Sequence, residues 1–306
     1  MTFRQLEVFL AVAREGSFTL AAKRIHLSQP TLSQHIIDLE DELGKPVFDR
    51  RGRKVMLTEA GRVFLPHAAH IVAATKDAQH AVLELDGVSY GSLLIGGSTT
   101  PGIYVLPRVV AAFQQRHPRV AITLSIGNSR VIEERIRAEE LDLGVVSGHV
   151  LGPGERCVAA GLVDELVLVA PRRHAWARRR AIGGSELASE RLLIREPGSA
   201  TQQVMERALQ QADIAIGPSM ELNHTEAIKR YVMAGLGVAF VSVYAVRDEL
   251  KSRQLHVVPV RGLRIRRHFH VIHGERRTLT ATAREFLGFL TTRAVQRPLA
   301  GGRATV

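Results

Sequence analysis

Two groups of side chains carry chemistry beyond packing. The first opens at Ser28, where Gln29, Pro30, Thr31, Ser33, Gln34 and His35 crowd amide, hydroxyl and imidazole groups into about two helical turns. Leu32, Ile36, Leu39 and Leu43, at i, i+4, i+7 and i+11, occupy the opposite face. A helix of this kind can lay its polar N-terminal half against base edges in the major groove. There Gln pairs bidentately with adenine, Ser and Thr donate or accept, and Pro30 can touch a thymine methyl. Arg50, Arg51, Arg53 and Lys54 follow closely and suit phosphates or a narrow minor groove. The second group is three loops: Gly97-Ser98-Thr99-Thr100; Gly127-Asn128-Ser129 with Ser147; and Arg195 to Thr201, including Ser199, with Asn223-His224-Thr225. Each precedes a helix, where free backbone N–H groups and hydroxyls make an anion site. Any one loop reads as plain helix capping. Their equivalent strand-to-helix positions are what point to a shared cleft. Hydroxyls and helix N-termini hold an anion without a buried salt bridge, so no single arginine is expected to be indispensable.

The flanking sequence supplies the elements that must position these groups. Thr2 caps a first helix with Leu6, Phe9, Leu10 and Ala13 on one face, ending at Gly16. Ser17 caps a second, Phe18 to Ile25, and Ser28 caps the third, which carries Pro30 in its first turn and stops at Gly44. Val47-Phe48 and Val55-Met56-Leu57 flank a basic turn at Gly52, a two-stranded wing. A long helix then runs from Glu59 to about Asp86 and is closed by Gly87. Phe64, Ile71, Ala78 and Leu85 recur every seven residues, with Ala74 and Ala81 between them, and predict a seam for a second chain. Pro66 predicts a kink in its first two turns. Beyond Gly91 short apolar strands alternate with amphipathic helices. Strands are expected at 93–95, 120–126, 143–146, 165–169, 192–194, 238–241, 255–260 and 268–272. Helices are expected at 105–116, 131–139, 201–212, 225–234, 244–251 and 281–293. That alternation predicts parallel sheets with crossover helices, in two lobes, and a frayed tail from Gln296.

The run Phe3-Arg-Gln-Leu-Glu-Val-Phe-Leu-Ala-Val-Ala-Arg-Glu-Gly-Ser-Phe18, then Ala21-Ala22, Leu27-Ser-Gln-Pro-Thr-Leu-Ser-Gln-His-Ile36 and Leu39-Glu40, resembles the LysR-type transcriptional regulators. So does Pro46-Val-Phe48 through Arg50 and Arg53 to Leu57-Thr-Glu-Ala-Gly61. The resemblance implies an α/β protein with an N-terminal all-α winged helix-turn-helix (1–58), a linker and dimerisation helix (59–88), and a two-lobed effector domain like a periplasmic binding protein (91–295). Lobe I would be about 91–162 with 267–295, and lobe II about 163–266. In that family the effector lies between the lobes, at positions like Ser98, Thr100, Asn128, Ser147, Ser199 and Thr201. Thr99, Ser129, Asn223 and His224 complete the candidate set, His224 at the cleft edge. Many members carry arginine at position 34 or 35; with Gln34 and His35 here, the resemblance implies DNA binding but not a base preference. Asn223-His-Thr-Glu-Ala-Ile-Lys-Arg-Tyr-Val232 with Ala234-Gly-Leu-Gly237 resembles the branch of sulfur-assimilation and carbon-fixation regulators, whose effectors are small anions or phosphorylated metabolites. The implied partners are double-stranded promoter or operator DNA, a small anionic metabolite, further copies of the chain as a dimer or dimer of dimers, and RNA polymerase. No cofactor, metal or membrane is implied.

Composition fits this reading. The 306 residues suit about two domains, and 45% hydrophobic with 23% charged is ordinary for a globular chain. A single cysteine, Cys157, excludes an internal disulfide framework and suits a reducing compartment. The charged start and the shortness of apolar stretches such as Val232 to Val246 lead us to expect a cytoplasmic protein. The net charge is +11, yet residues 1–90 balance 11 basic against 11 acidic side chains. DNA contact by that part must therefore use local clusters. His67 and His70 lack a third ligand, and His268, His270 and His273 have no carboxylate partner on their strand. Gly235-Leu-Gly237 is not a dinucleotide fingerprint, and no Ser or Cys sits in a nucleophile elbow. No enzyme site is expected. A cytoplasmic receptor or an enzyme using the same cleft are the alternatives, and a gel shift with upstream DNA separates them.

Overall fold

The computed structural model describes residues 1–49, 55–83, 91–148, 155–275 and 279–291. It divides into two compact units at about residue 86. Arg50, Arg51, Arg53 and Lys54 of the wing lie outside the described residues. So do Leu85 of the expected seam, Gly87 as the helix stop, and the tail from Gln296.

In the first unit, α1 (Phe3–Glu15), α2 (Phe18–Arg24) and α3 (Gln29–Leu43) precede the wing strands β1 (Phe48–Asp49) and β2 (Met56–Leu57) and the long α4 (Glu59–Leu83). The caps are those the sequence announces. The Thr2 hydroxyl accepts from the Gln5 N–H while the Gln5 side chain accepts from the Thr2 N–H, and Ser17 and Ser28 cap the next two helices. Apolar faces of all three helices meet in one core of Leu6, Phe9, Val12, Ala21, Leu32, Ile36, Leu39, Val47 and Phe48, closed by Ala68 and Val72 of α4. The Glu40 carboxylate accepts from the N–H groups of Val47 (2.8 Å) and Phe48 (3.2 Å), pinning the wing to α3. Phe64 departs from the expected seam. It stacks edge-on against Phe9 at 5.1 Å and belongs to this core. Ile71, Ala74, Ala78 and Val82 remain exposed instead. The helix continues without interruption through Pro66.

The second unit begins with β3 (Gly91–Ser98), a short α5 (Thr99–Tyr104), α6 (Leu106–Arg116), β4 (Val120–Gly127), α7 (Ser129–Arg137) and β5 (Leu143–Ser147). Then come β6 (Glu155–Pro171), β7 (Leu192–Arg195), α8 (Ala200–Gln211), β8 (Ser219–Leu222), α9 (Thr225–Met233) and β9 (Ala239–Ser242). It ends with α10 (Arg247–Lys251), β10 (Leu255–Val257), β11 (Ile265–Gly274) and α11 (Ala281–Thr291). β3 pairs in parallel with β4 and β5, and β7 with β8, as alternation predicts. The rest corrects that expectation. β6 pairs antiparallel with β9, β10 and β11, and β11 pairs antiparallel with β5. β6, at 17 residues, far outruns its predicted segment. With β11 it runs through two lobes, each with its own cores on both sheet faces. Leu93, Leu106, Phe113, Phe269 and Phe286 lie on one side of the first lobe and Ile132, Ile136, Val146 and Ile272 on the other. Trp176, Leu187, Met205 and Phe240 oppose Ile228, Val232, Val241 and Leu255 in the second. α5 and β8 are additions the sequence did not announce.

Candidate functional site

On α3, Ser28, Gln29, Pro30, Thr31 and Gln34 are exposed, and Ser33 and His35 are half-buried. The exposed amides are held by neighbours: Gln34 Nε2 donates to Asp38 at 2.8 Å and Gln29 Nε2 to the Ser33 hydroxyl at 3.2 Å. Among the described residues, each keeps its carbonyl oxygen and one N–H for a base edge.

In the second unit, the loops before α5, α7 and α8 converge between the lobes. Ser98, Thr99, Thr100, Asn128, Ser129, Ser147, Ser199 and Thr201 line one cavity together with Ala200, Arg195 and Arg267. The space is small, about 10 Å³, room for about one water. Asn223 and His224 are not part of it. His224 is exposed and caps α9, its Nδ1 accepting from the Glu226 N–H, while the next residue, Thr225, is the buried one.

Two arginines stand in the cavity: Arg195, which opens the third loop, and Arg267, which the sequence reading did not single out; both are buried and ion-paired, which that reading did not foresee. Arg267 is 4% exposed; its Nε and Nη2 lie 2.7 Å from the fully buried Asp164 carboxylate. Nη1 donates to the Thr201 hydroxyl (2.9 Å) and Nη2 to that of Thr100 (3.1 Å), one hydroxyl from each lobe. Asp164 also accepts from Ser242 at 2.6 Å. Arg195 is clamped by Glu196 through Nε (2.7 Å) and Nη2 (2.9 Å), and donates to Thr225 (2.7 Å) and across the lobes to Thr99 (3.3 Å). Because the hydroxyls of Thr100 and Thr201 accept from Arg267, their own protons are left to donate elsewhere. A signal for Arg267 was available. In β11 the buried phase is Ile265, Arg267, Phe269 and Val271, and in β6 it is Leu162, Asp164, Leu166 and Leu168. Opposite charges stand on the apolar phase of each, directly paired in register.

A second set of contacts crosses the lobes beside Arg195. The Tyr104 hydroxyl at the end of α5 donates to Glu226 at the start of α9. Glu226 also accepts from Lys229 (2.8 Å), which pairs with Glu249 at 2.7 Å and lies 5.6 Å from the Tyr104 ring centre. Burial, and then the Glu226 carboxylate, push the Tyr104 phenol well above its ordinary range, so it stays a neutral donor. Burial works to raise Glu226, but the Lys229 ammonium and the Tyr104 hydroxyl outweigh it and hold the carboxyl below its usual range.

Comparison with known proteins agrees with both halves. Residues 3–62 match the "bacterial regulatory helix-turn-helix protein, lysR family", and residues 87–295 the "LysR substrate binding domain". The chain belongs to the LysR family of transcriptional regulators. It is 36% identical to the RuBisCO operon transcriptional regulator of Allochromatium vinosum, over 97% of both chains. A full-length OxyR variant from Pseudomonas aeruginosa shares the fold, with a TM-score of 0.72 at 22% identity over 97% of each chain. The CcmR regulatory domain of Synechocystis PCC6803, solved with 2-PG, superposes with a TM-score of 0.62 at 26% identity, covering 68% of this chain and 98% of that one. The LysR member described here is thus a DNA-binding regulator with an effector-binding domain, in a family of regulators rather than enzymes, and the branch likeness to carbon-fixation regulators stands. Among the described residues no three His, Cys, Asp or Glu side chains gather to hold a metal, and no helix is long and apolar enough to cross a membrane.

Proposed function

We propose that this regulator binds operator DNA as a homo-oligomer in the cytoplasm and responds to a small anionic metabolite held between the lobes of its effector domain. The observation that carries the reading is the orientation of the cavity hydroxyls. Thr100 and Thr201 accept from Arg267 and present O–H donors, a lining that favours an acceptor-only ligand such as a carboxylate or phosphate. CcmR, 26% identical, is a relative solved with such an anion, 2-PG. The narrow space means the lobes must part to admit it and close again, a population shift of the cleft. On α3, Ser28 to His35 read the bases, with Arg50, Arg51 and Arg53 on phosphates. The exposed Ile71, Ala74, Ala78 and Val82 of α4 pair with a second copy. A thermal-shift screen with 2-PG, inorganic phosphate and sulfate tests the ligand reading. A ligand at 100 times its Kd adds about 2.7 kcal/mol of stability. No shift with any small anion would refute it.

A further inference from the structure

We propose that Tyr104 and Glu226 form a latch between the lobes, acting as positioning residues that set how much of the effector domain rests in the closed arrangement. Tyr104 ends α5 in the first lobe, whereas Glu226, Lys229 and Glu249 all belong to the second. Opening the cleft separates the phenol from the carboxylate but leaves the ion pairs of Lys229 intact. The latch therefore releases without stranding a charge, because Lys229, only 4% exposed, keeps both carboxylates. Closure gains a hydrogen bond to an ionised acceptor and places the Tyr104 ring over the ammonium, both favourable beyond simple contact.

The latch also bears on the cavity. Arg195 donates to Thr225, the first residue of α9, and to Thr99, the first of α5. The two helices that Tyr104 and Glu226 join, α5 by its last residue and α9 near its first, are those whose first residues Arg195 holds beside the cavity. A ligand that needs the closed form binds with an affinity reduced by the fraction of molecules already closed. Loss of the latch should then weaken binding without touching any lining residue. This consequence rests on the cavity reading above; the latch itself does not.

The test is a double-mutant cycle of Tyr104→Phe and Glu226→Gln in the full chain, read first without ligand by amide hydrogen exchange in α5 and α9. Tyr104→Phe keeps the ring over Lys229 and removes only the hydroxyl. Each single variant should speed exchange in both helices, with the double variant no faster than the faster single, and exchange in α6 and α11 unchanged. Calorimetry with 2-PG should show about 10-fold weaker binding in Tyr104→Phe, which is about 1.4 kcal/mol. Additive effects, or no change in exchange for Tyr104→Phe, would overturn the latch. If neither 2-PG nor phosphate nor sulfate binds the unaltered protein, the cavity reading falls while the exchange cycle still decides the latch.

Discussion

Arg267 and Asp164 face each other in the middle of the second unit, both almost wholly shielded from water. Such a pair is expensive to break and cheap to replace. Asp164→Ala would leave a guanidinium buried without its counter-ion and should cost about 3–5 kcal/mol, whereas Arg267→Met with Asp164→Leu should restore much of the loss. Urea unfolding midpoints at pH 7 measure both, and equal losses in the single and double variants would contradict the argument. Thr100→Val keeps shape but deletes a donor, and should cost about 1–3 kcal/mol of 2-PG affinity while leaving ligand-free operator binding unchanged. Glu226 adds a pH signature. Its folded carboxyl sits below the ordinary range, so its contribution to stability is complete above the unfolded value near 4.5 and is lost as the pH falls through the folded one. Melting curves of the unaltered protein and Glu226→Gln should accordingly converge in acid and stay apart from pH 6 to 8.

Among elements, legibility tracks how local the cause is. The three helices of the first unit and their caps could be read off Thr2, Ser17 and Ser28 because a cap is decided by a hydroxyl and an N–H three residues apart. β6 was cut short because its length is decided by partners far along the chain, β9, β10 and β11, that no local pattern names. α5 escaped because Pro101 and Gly102 read as breakers in a segment held by its packing on β3 and β4. The hydroxyl loops were legible as candidates, since each sits at a helix start. The pairings of Arg195, though it opens one of those loops, and the whole role of Arg267 were not, since they depend on strand register and on groups across the cleft. Phe64 was assigned to the wrong partner by a repeat it satisfies only by spacing; the core of its own unit claims it. The exposed stripe left on α4, Ile71 to Val82, gives a prediction at this scale. Val82 is 67% and Ile71 37% exposed, apolar surface that a second α4 would cover. Ala78→Glu would place a charge in that seam and should shift sedimentation from dimer towards monomer. Phe64→Ala should instead lower the stability of the first unit.

For the molecule as a whole, the proposed function requires that events in the cleft change operator binding, and two glycines stand where one lobe comes close to the other. Gly148 follows β5 with φ +60°, and a Cβ there would lie 2.8 Å from a Val204 methyl on α8, in the opposite lobe. Gly198, φ +92°, accepts from the Arg130 N–H of α7 at 3.4 Å, and a Cβ would meet Arg130 at 3.3 Å. An alanine at either place strains the backbone and wedges the lobes apart. Neither residue has a side chain to lend a ligand, so their effect isolates closure from contact. Gly148→Ala should move the 2-PG concentration giving half-maximal change in operator affinity about 10-fold higher, with ligand-free operator binding held. Coupling between the two ligands is reciprocal, so operator DNA must strengthen or weaken 2-PG binding by the same factor that 2-PG applies to operator binding. Fluorescence anisotropy on an operator duplex, titrated both ways, measures the midpoint and that factor together. A midpoint that stays in place in both Gly148→Ala and Gly198→Ala would remove closure of the cleft from the response.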